Sequence, residues 1–306
     1  MQRSGGVTLP KWPGLFRNAI GMRWILASAA VVALQLFTMP AVAQDRPLRT
    51  SDAEIVAPGA VRAQVGFDFL QDANFPLSGL SGDVFDAGAI NVRMGIGKVV
   101  EVQFQGIVQE FLSIKQQGAS FVPLTLSSAN STHDVGDFSL WTKILLLGET
   151  DRRPALAFRF GYEMPNSNQA RGIGTNSTNI YAEAIAEKHF GRLAVFGDLG
   201  LGILTSPNAL YSQNDELLYG FAFRYSVNRQ INLLGEVSGR YTPRKINTAL
   251  VGTESLGQGR FGVQINGGGL VWDLAAIAGL TKNDPRTGFT FGVSKEFKLF
   301  DRSKFQ

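Results

Sequence analysis

Residues 155–164 read Ala-Leu-Ala-Phe-Arg-Phe-Gly-Tyr-Glu-Met. Leu156, Phe158, Phe160, Tyr162 and Met164 alternate with Ala155, Ala157, Arg159, Gly161 and Glu163. Successive side chains of a β-strand point to opposite faces, so this stretch has one apolar face and one polar face. Similar ten-residue patterns occupy most of the chain. They fall at 60–70, 85–96, 99–111, 136–147, 177–190, 192–204, 217–227 and 230–241, on both sides of Gly267-Gly268-Gly269, and at 288–299. The repetition predicts an all-β, transmembrane up-and-down antiparallel β-barrel of about twelve strands, with apolar faces toward lipid and charged faces toward the lumen.

Several segments frame that barrel. Arg23 and Trp24 lead into an apolar run at 25–37, and Ala41-Val42-Ala43 ends it with small residues before Gln44. This is the pattern of a cleavable export signal over 1–43, with translation able to begin at Met22. The run is shorter than the roughly 20 residues that a membrane-spanning helix needs. Residues 44–58 are polar, with Arg46, Arg49, Asp52 and Glu54, and would either hang in the periplasm or fold inside as a plug. The barrel itself is expected over 59–300, followed by a tail at 301–306.

Composition narrows the function classes. The chain has 29 basic and 25 acidic residues, a formal charge of +4, but Arg3, Lys11, Arg17 and Arg23 all precede Gln44. Removing the export segment leaves 25 of each sign, so the basic balance gives no reason to expect nucleic acid as a partner. A mean hydropathy of +0.03 is too low for a helical membrane protein. The 35 glycines and 22 phenylalanines instead suit a curved sheet with an apolar exterior. With no cysteine, disulfides, thiolate metal sites and a lipid-modified cysteine anchor are all excluded.

Connections alternate in length. Those near Lys98, Thr150, Gly191, Arg229 and Gly268 are short and would face the periplasm. The Gly/Ser-rich stretch at 71–84, the polar stretch at 115–135, and those at 166–176, 242–255 and 283–286 would be extracellular loops. The strand at 177–190 is the thinnest pattern, because Ala182, Ala184 and Ala186 supply little apolar surface, and a short helix is its alternative. Lys295 interrupts the lipid face near the last strand's end, where a charge costs little.

The residues opposite the apolar faces are the lumen-lining candidates: Arg62, Asp68, Arg93, Glu101, Lys143, Arg159, Glu163, Glu183, Asp198, Arg224, Glu236, Arg240 and Arg260. Lys298, Glu187, Asp273 and Glu296 share that face. A ring of one sign would point to ion selectivity. The mixture fits a neutral solute or a lumen partly closed by internal ion pairs.

The block Gly136-Asp137-Phe138-Ser139-Leu140-Trp141-Thr142-Lys143 and its apolar continuation, the strand ending Tyr162-Glu163-Met164-Pro165, and Ala186-Glu187-Lys188-His189-Phe190-Gly191 resemble a family of outer-membrane transporters. That family is associated with the phenol meta-cleavage (MetA) degradation pathway. Gly279-Leu280-Thr281 and Gly292-Val293-Ser294 are similar too. The resemblance covers roughly 136–300. It implies passive passage of small, aromatic or hydrophobic solutes through a barrel that needs no cofactor. Outer-membrane lipid and the barrel-assembly machinery would be its partners. The chain departs from the pattern by continuing through Asp301 to Gln306, so Phe300 and Phe305 both compete as the terminal assembly aromatic.

Two other classes are weighed against a pore. A lipid hydrolase would place a Ser two residues after a His, as outer-membrane phospholipases do, but Val135 follows His133 at that spacing and Gly191 follows His189. The expectation is therefore no catalytic residue and no enzyme. Two distant histidines and a loop-end pair Asp215-Glu216 suggest no metal site either. Gly95-Ile96-Gly97 and Gly172-Ile173-Gly174 lack the rest of a phosphate-binding loop. A surface-display role, with the 115–135 loop as its working part, stays open, as does the oligomeric state.

Overall fold

The computed structural model describes residues 46–299. The export segment and the tail after Leu299 lie outside the described residues. Thirteen strands follow one another: β1 (Ala60–Phe75), β2 (Leu80–Gly95), β3 (Val100–Gln117), β4 (Ser131–Asp134), β5 (Ser139–Leu147), β6 (Ala155–Glu163), β7 (Asn179–Phe190), β8 (Leu193–Thr205), β9 (Gln213–Ser226), β10 (Ile231–Tyr241), β11 (Leu256–Gly267), β12 (Leu270–Gly279) and β13 (Thr287–Lys298). Each pairs antiparallel with its neighbour in sequence, and β1 also pairs with β13, from Ala60 opposite Lys298 to Gln71 opposite Thr287. The sheet thus closes on itself. β4 and β5 both pair with β3, at Glu110–Ser113 and Val100–Gln105 respectively, and together make one stave in two pieces. The result is a closed twelve-stave barrel. Among the described residues only the short β4 keeps a free edge, with β3 its sole strand partner, and elsewhere the staves pair on both sides, as hydrocarbon requires.

The sidedness of the wall is the reverse of a soluble protein's. Phe160, Phe190, Leu199, Leu201, Phe221 and Phe261 stand 49–62 % exposed on the outside. Arg93, Glu101 and Lys143 have no exposure at all on the inside. A soluble barrel would place the charges in water and the aromatics in its core.

β7 is a strand over its full length. Its alanines are flanked by bulk: Ala182 sits between Phe160 and Leu201, and Ala184 between Phe158 and Leu199. Large neighbours cover the lipid face that the alanines leave thin, so the weak alternation along one strand is compensated across strands.

The first hairpin differs from its expected form. Residues 71–84 are not a loop, because β1 and β2 stay paired up to Phe75 opposite Leu80, and the connection is only Pro76 to Gly79. Gly79 takes a φ of +69°, the left-handed conformation that a tight turn requires and glycine adopts without strain. A second departure is the bulge at Gly88 (φ +68°), which β1 skips: Gly66 pairs with Ala89 and Phe67 with Ala87. One extra residue reverses the alternation of β2 beyond it. Asp86, opposite Glu110 in β3, is buried as a result.

The 115–135 stretch is also more structured than the polar loop expected there. β3 runs on to Gln117, β4 returns along it, and Val122 packs with Leu77 and Val251. Leu124 and Leu126 pack against a neighbouring cluster that includes Leu70, Leu80, Val84 and Leu112.

Candidate functional site: a plugged lumen

Residues 46–57 lie inside the barrel. In this arrangement the segment takes the position of a plug. Thr50, Ser51, Asp52, Ala53 and Val56 are each at most 3 % exposed, before the chain leaves the lumen and enters β1.

The plug meets the staves in their order around the wall. Arg46 begins at β1 and β13, donating to Asp68 at 2.7 Å and to Thr290. Its carbonyl accepts from Gln264 of β11 at 2.6 Å, and the Pro47 carbonyl accepts from Arg260 of the same strand at 2.9 Å. The N–H groups of Arg49 and Thr50 then donate to Glu236 of β10 at 2.8–2.9 Å. Ser51 N–H donates to Asp198 of β8, Ala53 N–H to Glu187 of β7 and Val56 N–H to Glu101 of β3. A chain crossing the lumen has no neighbouring strand to satisfy its backbone, and four wall carboxylates take that part.

Two apolar contacts add to these. Leu48 packs with Phe196, Ala222 and Leu234, and Ala53 with Ala155, Ala157 and Ile185. The wall also makes room. A methyl group at Gly292 would come within 2.8 Å of the Arg46 guanidinium, and one at Gly220 within 2.7 Å of the Thr50 hydroxyl.

Asp52 is the deepest anchor. Its carboxylate lies 3.0 Å from Lys143 Nζ and 3.4 Å from Arg93 Nη2. Glu101 lies 2.7 Å from Arg93 Nε and 3.2 Å from Lys143 Nζ. Two cations and two anions, all without exposure, neutralise one another, and one anion belongs to the plug. Without Asp52 the wall would hold two buried cations against a single carboxylate.

All thirteen sequence-predicted lumen candidates are on the inner face, and most form ion pairs. Arg93, Glu101 and Lys143 meet at Asp52, Asp68 and Glu236 flank Arg260 at 4.0 and 3.6 Å, and Arg159 pairs with Glu183. Arg62 pairs with Glu296, Arg240 with Glu216 at 3.2 Å, and Arg224 with Glu54 at 3.9 Å. Glu163 stands apart and accepts from Asn179 at 2.6 Å. Sequence reasoning missed Asp86, Glu110 and Glu216. For the first two, Gly88 was the available signal.

Two cavities of about 320 and 310 Å³ lie between the plug and the extracellular loops. The first contains Trp141 stacked on Tyr181 (centroids 5.3 Å apart), with the Arg159 guanidinium 4.4 Å from the indole. The second is more apolar and is lined in part by Leu70, Phe75, Leu77, Val84 and Ile173. Arg49, the exposed residue of the plug's buried stretch, lines both cavities. Each offers a flat or apolar surface beside a few polar groups, as small-molecule sites do.

A closed wall, an apolar exterior and a charged lumen define an outer-membrane β-barrel. Comparison with solved structures agrees. The chain is similar to the COG4313 outer membrane channel from Pseudomonas putida F1, at 14 % identity and a TM-score of 0.60, over 82 % of this chain and 100 % of that one. The translocator domain of the autotransporter NalP from Neisseria meningitidis matches at 12 % identity and a TM-score of 0.48, over 92 % and 97 % of the two chains. The NanC porin matches at 8 % identity and 0.45, over 78 % and 100 %. At these identities the likeness is one of fold. No family model and no curated protein matches the sequence.

Proposed function

We propose that this chain is an outer-membrane channel for passive passage of small solutes with an aromatic or apolar part, and that its N-terminal segment is the gate. The observation that carries this reading is the plug itself: a dozen residues cross the lumen without joining the sheet, held mainly by hydrogen bonds to wall carboxylates. Such contacts can be exchanged for water when the segment moves, at a net cost of order 1–3 kcal/mol each, whereas unzipping a stave would break a whole ladder. Arg49 lines both cavities, so a solute that enters either one meets the gate. The stacked Trp141 and Tyr181 put aromatic surface in the lining of the first cavity, which suits an aromatic solute. The resemblance to transporters linked with phenol meta-cleavage agrees with that solute class, and the similar channel from Pseudomonas putida F1 agrees with passage.

The test is planar-bilayer conductance of the chain from Gln44, beside a variant lacking residues 46–56. The expected result is rare, small openings for the complete chain, sustained larger ones for the deletion, and block of those by phenol derivatives. A deletion variant that folds as a heat-modifiable barrel yet stays silent would overturn the gate.

A further inference from the structure

The plug and the wall meet once more where the plug leaves the lumen. Glu187 and His189, two residues apart on β7, share a face of the strand. Glu187 is 2 % exposed. Its Oε2 accepts from the Ala53 N–H at 2.9 Å, while its Oε1 is buried without a hydrogen-bond partner. The His189 Nε2 stands 3.6 Å from that Oε1. Glu54, next in the plug after Ala53, extends its carboxylate into the same space. Donor atoms of Glu54, Glu187 and His189 all lie within 4.8 Å of one another.

The far side of the imidazole is fixed. His189 Nδ1 is 2.7 Å from Glu149 in the β5–β6 turn, and Glu149 also accepts the His189 backbone N–H at 3.0 Å. An ionised carboxylate only accepts, so the Nδ1 edge donates to Glu149 and the Nε2 edge faces Glu187. A carboxylate behind a histidine in this way orients and strengthens a metal-ligating ring. Arg224 forms an ion pair with Glu54 Oε1 at 3.9 Å, so the bound ion would share that carboxylate with the guanidinium.

We propose that Glu54, Glu187 and His189 form a binding site for a divalent metal ion of the zinc class, which ties the plug to β7 at the periplasmic mouth. One imidazole and two carboxylates leave a fourth position for water, a donor set that suits zinc. Calcium and magnesium prefer six or more oxygens. Zinc bonds of about 2.0 Å in a tetrahedron put neighbouring donors ~3.3 Å apart, close to the separation already present between His189 and Glu187. The ion would satisfy the orphaned Oε1 and relieve the repulsion between the two acids. His189 is exposed and Glu54 half-buried, so the site has an entrance. Because one donor sits on the plug, the ion binds the docked segment in preference to a released one and stabilises docking by mass action.

The site is tested by titrating ZnCl2 into the folded chain in competition with a chromophoric chelator at neutral pH. One ion per chain is expected. His189→Ala and Glu54→Gln should each weaken uptake by about tenfold or more. His133→Ala, in β4, should leave it unchanged. Glu54 is outside the barrel wall, so its variant should still fold, and amide exchange then supplies a second readout: zinc slows exchange at residues 52–56 of the wild type but not of Glu54→Gln. No uptake by the wild type, uptake lost with His133, or equal uptake by wild type and Glu54→Gln would each overturn the proposal. The assay involves no solute flux, so failure of the channel reading would show in conductance and leave this result standing.

Discussion

The two arms of the plug are held by different chemistry. Beyond the Arg46 side chain, which holds the start of the segment to Asp68, residues 47–51 are fixed through their backbone, to Arg260, Glu236 and Asp198, with Leu48 in an apolar pocket and the Arg49 side chain facing the cavities. Residues 52–56 are fixed by a fully buried charge network and a second set of carboxylate contacts. Backbone-to-carboxylate bonds tolerate small slides, because any N–H can replace its neighbour. A buried charge cannot leave without exposing its partners. The difference makes the upper arm the part that can yield to a solute and the lower arm the part that keeps the segment in register.

Asp52→Ala should break this division most strongly. It strands Lys143 and Arg93 with one carboxylate between them, a loss of about 3–5 kcal/mol where a buried pair is broken. The expected outcome is lost amide protection across both arms and a large rise in channel open time. If exchange quickens only at 46–51, the lower arm is not the anchor. Leu48→Ala should cost about 2–3 kcal/mol, in the lower range for a buried leucine, and should speed exchange at 46–51 while 52–56 stay protected. Coincident loss in both arms would mean that the plug releases as one unit.

Glu236→Gln keeps an acceptor but removes the charge that Arg49 and Thr50 donate to. Arg260 also loses one of its two flanking anions, so a cost of about 1–3 kcal/mol is expected, read as faster exchange at those two amides first. Arg49→Ala should change plug stability least, by under about 0.5 kcal/mol for an exposed side chain. Its effect should appear in solute block, as a several-fold shift in half-blocking concentration. An unaltered block curve would separate the upper arm from solute sensing.

The wall was readable in the sequence because its physics is local. Phe158, Arg159 and Phe160 state by themselves which face meets lipid, and the thin β7 was rescued only by neighbours that its own residues cannot reveal. Gly88 marks the limit of that reading. A single glycine with left-handed φ turns Asp86 to the inside, opposite Glu110, and the glycine itself is the one mark of it in a period-two pattern. The 71–84 stretch looked like a loop because glycine and serine weaken alternation, although cross-strand pairing continued through it. The plug was legible only as two alternatives. Its residues carry no period, and its partners lie up to 245 positions away, as Arg46 and Phe291 show. The same distance hid the meeting of Glu54 with Glu187 and His189, since histidine spacing along the chain says nothing about a contact made across a lumen.

The order in which the plug visits the staves bears on how the molecule is made. Arg46 needs Asp68 and Thr290 together, one from the first strand and one from the last, and these become neighbours only when β1 meets β13. The earliest of the described residues to be synthesised is thus among the last to find its partners, after the slow search that such long-range contacts entail. Glu236 and Asp198, on β10 and β8, likewise receive the plug's backbone only once most of the wall exists. Threading the segment therefore marks the barrel's completion.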